Sequence, residues 1–322
     1  MAILDAIRSF SGTEVWVIGD IILDIYLYGK VDRISPEAPI PILNHTNTRH
    51  ALGGAANVAA NLKGLGANVS LFSLVGADKE SEYLVTMLDL EEINHHLVSE
   101  LDRPTTSKTR VIAGNHQMIR IDHESTVDII DESLNAFQST FTEQLPVLPP
   151  QAIVLEDYNK GLLTNELITF LLTKAKELEI PVIVDPKKSN FFSFQGCTLF
   201  KPNLKECASQ VPFPVSADKT TLDKADKYFR EKLNHQTSMI TLAEHGIYIS
   251  DGHSSFIVPT EIRQVADVSG AGDTVTAVAT LGVMKALSLM EIAQLSNQAA
   301  GHVCSIPGVH AIQLEELIHF YQ

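Results

Sequence analysis

Short runs of β-branched and aliphatic residues alternate along the chain with longer stretches in which apolar residues recur every three or four positions. Val15-Trp16-Val17-Ile18, Val69 to Val75, Ile153-Val154-Leu155, Val182-Ile183-Val184 and Met239 to Leu242 are of the first kind. Their continuous apolar character predicts strands buried on both faces. In residues 55–66, Ala55, Val58, Ala59, Leu62 and Leu65 fall on one helical face. A second helix is expected from an N-cap at Thr164 through Leu167, Ile168, Leu171, Leu172, Ala175 and Leu178 to a stop before Pro181. Residues 218–233, 271–287 and 290–305 give three more. Strands alternating with helices over most of the chain predict an α/β fold with a doubly wound, mostly parallel sheet.

Two segments break the alternation. Residues 23–47 alternate polar and apolar positions but carry Pro36, Pro39 and Pro41, which confine the segment to edge strands. Residues 105–124 form two short alternating stretches around a turn at Gly114-Asn115. Together they predict a small antiparallel β lid on the α/β body. The proline-bearing stretch 142–151 reads as a loop, which leaves residues 1–322 as one domain.

Charge and composition restrict the partners. The 322 residues carry 24 basic against 39 acidic side chains, a net charge of −15, with 45% apolar and 20% charged residues. So acidic a chain is a poor match for nucleic acid, whose phosphates need a basic surface. Mean hydropathy is +0.08, and no apolar stretch is long enough to span a bilayer, because the run at 275–284 is cut by Lys285. Residues 1–11 carry Asp5 and Arg8 and lack the apolar core of a signal peptide. Cys197, Cys207 and Cys304 have no metal-site spacing, and the twelve histidines show neither HxxxH nor HExxH. The expected setting is the reducing cytoplasm, with the thiols acting as small hydrophobes.

The sharpest chemical signal is Asp267-Val268-Ser269-Gly270-Ala271-Gly272-Asp273-Thr274, opening the helix at 271–287. Two glycines let a ligand approach the backbone, and a helix N-terminus presents free N–H groups to an anion. A transferred phosphoryl group is such an anion, and Asp273 beside it could take the proton of an attacking hydroxyl. Alternatively, Ser269 or Asp273 simply caps the helix. Neither the dinucleotide fingerprint GxGxxG after the first strand nor the GxxxxGK[ST] loop is present. A second cluster, Leu52-Gly53-Gly54-Ala55-Ala56-Asn57-Val58-Ala59, either meets a sugar through Asn57 or packs a helix closely on the sheet. Asp20, with Asp24 beyond it, Asp157 and Asp185 follow predicted strands, at the edge where open α/β sheets bind ligands.

The Gly19-Asp20…Asp24 opening, the Gly53-Gly54-Ala55-Ala56-Asn57 cluster and the Gly270-Ala271-Gly272-Asp273 turn resemble, in that order, the ribokinase-like (PfkB) carbohydrate kinases. Lys201-Pro202-Asn203-Leu204-Lys205-Glu206 carries the family's NxxE pattern, and Thr241-Leu242-Ala243-Glu244-His245-Gly246 matches as well. The likeness spans nearly the whole chain. Asp32-Arg33-Ile34-Ser35-Pro36-Glu37-Ala38-Pro39-Ile40-Pro41 is similar to the branch acting on D-glycero-β-D-manno-heptose 7-phosphate in lipopolysaccharide core synthesis. Asp157-Tyr158-Asn159-Lys160-Gly161 and Asp185-Pro186-Lys187 resemble that branch too.

The resemblance implies an ATP-dependent, Mg2+-assisted kinase of the anomeric hydroxyl of heptose 7-phosphate. It makes Asp273 the base and Gly270, Ala271 and Gly272 the anion hole. Asn203, Leu204, Lys205 and Glu206 would serve nucleotide phosphates, with Glu206 reaching magnesium through water. Glu244 and Gly246 would lie near the nucleotide, and Asn297 and Gly308 near the adenine. Asp20, Asp24, Gly53, Gly54, Asn57 and Asp157 would hold the sugar. Lys108, Arg110 and Arg120 are preferred for the 7-phosphate over Arg33, Lys187 and Lys188, with Arg the better bidentate partner. Ala243 stands where many relatives carry Gly, which is acceptable if its φ is negative. Exposed lid edges imply a homodimer. Heptose kinases are often fused to a nucleotidyltransferase with an HxGH-type motif, absent here, so the chain is expected to be a stand-alone kinase or the N-terminal part of a bifunctional protein. The alternatives are a kinase of ribose, fructose, a fructose phosphate or a nucleoside, or a sensor of the same fold without turnover.

Overall fold

The computed structural model describes residues 3–114, 116–260 and 265–321. Nine strands make one sheet: β1 (Glu14–Gly19), β4 (Asn68–Gly76), β5 (Asn94–Glu100), β8 (Ala152–Glu156), β9 (Val182–Asp185), β10 (Leu199–Phe200), β11 (Thr237–Thr241), β12 (Ile247–Ser250) and β13 (Ser255–Val258). Their order is β13-β12-β11-β10-β9-β8-β1-β4-β5. Every pairing from β5 to β11 is parallel, and β12 and β13 close one edge antiparallel. The chain leaves β1 toward β4 and β5, then returns to β8 on the other side. The crevice outside β1 and β8 is therefore a topological switch point, where open α/β sheets bind ligands.

Strand periodicity divides the core in two. Val15 and Val17 pack on one face with Leu71, Val154 and the helices Ala55–Gly64, Ala271–Met284 and Leu289–Val303. Trp16 and Ile18 point to the other, with Phe72, Ile153, Leu155 and the helices Asp131–Gln144, Asn165–Glu177 and Lys219–Leu233. Trp16 is fully buried there, its ring 4.6 Å from Phe72 and 5.1 Å, edge-on, from Phe141. Thr164 caps its helix as expected, accepting from Leu167 N at 3.2 Å. Buried Cys197 and Cys207 and part-buried Cys304 are all free thiols. His96 stacks on Phe72, and His95 pairs with Asp89.

The lid is a second sheet in the order β3-β2-β6-β7, with β2 at Ile21–Ile34, β3 at Pro41–Gly54, β6 at Ser107–Ala113 and β7 at His116–His123. The proline-bearing strand β3 lies at an edge, and Pro36 and Pro39 fall in the turn before it. One feature departs from the antiparallel expectation: β2 and β6 pair in parallel, because β6 enters the sheet after a long crossover through β4 and β5. Gly114 takes the left-handed turn position (φ +60°), while Asn115 lies outside the described residues. Among the described residues no helix is long and apolar enough to cross a membrane.

The loop after β11 corrects the reading of Ala243. Its φ is +54°, not negative, in the 3-10 turn Ala243–His245. Three residues later Gly246 has φ +96°, and a Cβ there would lie 1.9 Å from the Val258 carbonyl oxygen. Left-handed backbone costs a non-glycine residue about 1–2 kcal/mol, part of which glycine returns in chain entropy. We predict that Ala243→Gly stabilises the chain by about 0.5–1 kcal/mol and that Gly246→Ala destabilises it by about 2–3 kcal/mol. Urea denaturation midpoints at unchanged slope read both, and a destabilising Ala243→Gly would contradict the strain.

Candidate active site

Asp273 sits in the first turn of the helix Ala271–Met284, is 5% exposed, and does not cap it. Gly270, at φ +83°, occupies the cap position and leaves the helix without a side-chain cap. Ala271 N–H reaches back to the Val268 carbonyl at 3.4 Å, while Gly272, the next residue, is exposed at the helix start, where a free N–H suits an anion. A Cβ on Gly270 would come within 2.7 Å of Asn57 Nδ2, so a side chain there would displace Asn57. The Asp273 carboxylate is held at both oxygens: Asn57 Nδ2 donates to Oδ2 at 2.6 Å and Tyr158 Oη to Oδ1 at 2.9 Å. Burial pushes its pKa up to about 6, against the pull of these two donors.

Two more acids share this pocket. Ligand oxygens of Glu156, Asp185 and Asp273 all lie within 4.8 Å of one another. Lysines answer the charge: Lys201 Nζ is 2.7 Å from Asp185 Oδ2, fully buried, and Lys187 Nζ lies 3.3 Å from Asp185 and 3.0 Å from Glu206. Burial would raise Asp185, but Lys187 and Lys201 hold it below the usual carboxylate range. Glu156 has no hydrogen-bond partner at either oxygen, and burial beside Asp185 and Asp273 drives its pKa far up.

The sugar-side candidates divide by geometry. Asp20 Oδ2 accepts from Tyr158 N at 2.8 Å and Lys160 N at 3.0 Å, which commits it to the loop after β8. Asp157, raised to about 6 by burial, accepts from Asn159 N and Asn190 Nδ2 in the same loop. Gly53 and Gly54 end β3 in register with Ile22 and Ile21, and a Cβ on Gly54 would meet Asp20 O at 2.4 Å. The glycine pair serves close packing of lid on body, while Asn57, three residues on, reaches the acid. Because side chains alternate along strands, the register puts two rows on one lid face: Asp24, Lys108 and Asp122, then Arg49, Tyr26, Arg110 and Arg120. Arg110 pairs with Asp24, and Arg120 with Asp122 through both carboxylate oxygens. Lys108 has no carboxylate partner among the described residues; its ammonium lies 5.6 Å from the Tyr158 ring, with its pKa lowered by burial.

On the nucleotide side, Asn203 and Glu206 form a capping box for the helix Leu204–Gln210: Glu206 N bonds Asn203 Oδ1 at 2.9 Å, and Asn203 N bonds Glu206 Oε2 at 2.8 Å. Leu204 packs on the aromatic half of the core, and Lys205 is exposed. Glu244 is exposed on its 3-10 turn. Asn297 accepts from Thr260 and donates to Pro259 O at 2.7 Å, beside a cavity of about 430 Å³ lined by Val258, Thr260, Gln294 and Gly301. Gly308, at φ +80°, is next to Val309, whose carbonyl accepts from Arg49 of the lid at 3.1 Å. That loop abuts the anion site, since a Cβ on Gly270 would be 3.5 Å from Val309 Cγ1.

A family model described as pfkB family carbohydrate kinase matches residues 13–316. The chain belongs to the pfkB family of carbohydrate kinases. It is therefore a phosphotransferase whose acceptor is a sugar hydroxyl. Proteins named bifunctional protein HldE from Caulobacter sp. (strain K31) and Methylobacillus flagellatus are 36% and 38% identical over 97% and 98% of this chain. The chain spans 63% and 65% of their lengths. Escherichia coli phosphofructokinase-2 in complex with potassium superposes with a TM-score of 0.79 at 18% identity, over 96% of this chain and 99% of that one. Arabidopsis thaliana ribokinase complexed with ribose and ATP does so at 0.73 and 17%, over 95% and 99%. These two likenesses are of fold.

Four groups of this pfkB kinase escaped sequence reasoning as separate signals: Glu156, Tyr158, Lys201 and Arg49. Glu156 was legible only as the last residue of an apolar run, and Lys201 only as the residue before Pro202-Asn203. Arg49 needs the strand register to be seen. Removing one partner of a buried ion pair leaves the other unanswered. We predict that Lys201→Met destabilises the kinase by about 3–5 kcal/mol at pH 8, and by less at pH 5, where protonation relieves the unanswered Asp185 carboxylate. Denaturation at the two pH values reads this, and an equal or smaller loss at pH 8 would contradict it.

Proposed function

We propose that the chain transfers the γ-phosphoryl group of ATP to the anomeric hydroxyl of D-glycero-D-manno-heptose 7-phosphate, giving the 1,7-bisphosphate for ADP-heptose and lipopolysaccharide core synthesis. The observation that carries the phosphotransfer is the buried Asp273 carboxylate beside the helix start at Gly270–Gly272, which has no side-chain cap. An anomeric hydroxyl is more acidic than an ordinary alcohol, so a carboxylate with a pKa of about 6 is a competent base. As the sugar oxygen attacks phosphorus, its proton passes to Asp273, the bond from phosphorus to the leaving oxygen of ADP breaks, and the Gly270–Gly272 amides meet the equatorial charge.

ATP as donor agrees with the ribokinase neighbour solved with ATP. Glu206 keeps lone pairs beyond its two bonds and suits the water shell of Mg2+. Bound magnesium would neutralise phosphate charge. The heptose assignment is supported by the Asp32–Pro41 segment and the Asp157–Gly161 and Asp185–Lys187 stretches, together with the cationic lid face. Lys108, without a carboxylate partner among the described residues and 5.6 Å from the Tyr158 ring, is the best-placed group for the 7-phosphate, with Arg110 and Arg120 beside it. The lid also supports a homodimer: β7 is an edge strand exposed along its length, with Ile119 and Ile121 55% and 53% exposed on its outer face.

A coupled kinase assay with heptose 7-phosphate, unphosphorylated heptose and ribose tests the reading. The phosphorylated heptose is expected to be strongly preferred, and Lys108→Met to raise its KM about 10–100-fold with the KM for ATP unchanged. Strong activity on ribose would overturn the substrate assignment.

A further inference from the structure

Tyr158 joins Asp20, at the end of β1, to Asp273. Its hydroxyl donates to Asp273 Oδ1 at 2.9 Å, and its backbone N–H donates to Asp20 Oδ2 at 2.8 Å. The same Asp20 oxygen takes Lys160 N at 3.0 Å, so the turn 158–160 is pinned at two points to the end of β1. Tyr158 is part-buried, and the Lys187 and Lys108 ammonium groups stand 5.0 Å and 5.6 Å from its ring centre. Burial together with Asp273, Glu156 and Asp185 keeps the phenol protonated, so it acts only as a donor toward the carboxylate. Asn57 fixes the other carboxylate oxygen from the opposite element, the helix Ala55–Gly64.

We propose that Tyr158 is a positioning residue for the transfer step: anchored through Asp20, its hydroxyl orients the Asp273 carboxylate and keeps it ionised for the incoming sugar hydroxyl. This gives Asp20 a role that does not require contact with the sugar. The inference rests on Asp273 as the base and is independent of which sugar is the acceptor. The groups facing Asp273 are Asn57 on its helix, Glu156 at the end of β8, Tyr158 in the following loop, Asp185 at the end of β9 and Lys201 after β10. Asn57, Tyr158 and Lys201 favour the carboxylate, and Asp185 disfavours it. Loss of the phenolic donor therefore raises the Asp273 pKa from about 6.

Two variants with opposite expected signs test this. In Tyr158→Phe the acid limb of the kcat profile moves to higher pH by about one unit, so the deficit is large at pH 6 and shrinks at pH 8. Replacement of Tyr158 by 3,5-difluorotyrosine keeps the shape, strengthens the donor and moves the limb to lower pH. The same shifts are read without substrate from the infrared carboxyl band that disappears in Asp273→Asn. A merely structural role predicts a fall in kcat that is uniform across pH and an unmoved carboxyl titration, and that result in either variant overturns the proposal. Because the infrared titration needs no sugar, it stands or falls apart from the heptose assignment.

Discussion

Three carboxyl groups share one pocket at the carboxyl edge of a parallel sheet, and such a cluster survives burial only if its charge is answered from within. The answer is the Lys201–Asp185 pair, 2.7 Å apart and sealed from solvent, with Lys187 joining from the side. The two lysines hold Asp185 below the usual carboxylate range, burial beside the other two acids raises Glu156, and Asp273 is left poised near pH 6. Without those lysines, three buried acids within 4.8 Å could not share the site.

The backbone brings these groups together by register alone. Asp20, Glu156 with Asp157, and Asp185 come from the ends of adjacent strands β1, β8 and β9, so their alignment follows from Gly19 pairing with Glu156 and Glu156 with Asp185. Asp273 arrives on the helix Ala271–Met284, whose start at Gly270 has no side-chain cap. The lid is tied to both halves. Asp20 O bonds Ala55 N where β3 gives way to the helix, and Arg49 reaches from β3 to the Gly308-Val309 loop beside the anion site. A net charge of −15 does not bar an anion from this site, because helix amides and oriented cations act at short range while distant surface charge is screened.

Much of this was legible in the chain itself. The buried parallel strands announced themselves as apolar runs, and Gly270-Ala271-Gly272-Asp273 marked the helix start that meets the acids at the ends of β8 and β9. What stayed hidden had physical reasons. β5 is a half-exposed edge strand, NHHLVSE, whose polar residues mask its period, and the helix Asp131–Gln144 buries only Ser133, Leu134, Phe137 and Phe141. The parallel β2–β6 pairing depends on a crossover that no local pattern encodes. Lys201, Glu156 and Tyr158 matter through contacts between residues far apart in sequence, which spacing cannot report. Ala243 shows the reverse case: its identity is plain, but only the backbone reveals φ +54°.

The most direct test of the central claim, that Asp273 is the base of a phosphotransferase site, is turnover and binding of Asp273→Asn compared side by side. Asparagine keeps the volume and removes the basic oxygen, so calorimetry should show ATP and sugar still binding while kcat falls by about a hundredfold to ten-thousandfold. Turnover close to that of the unmodified chain would contradict the account.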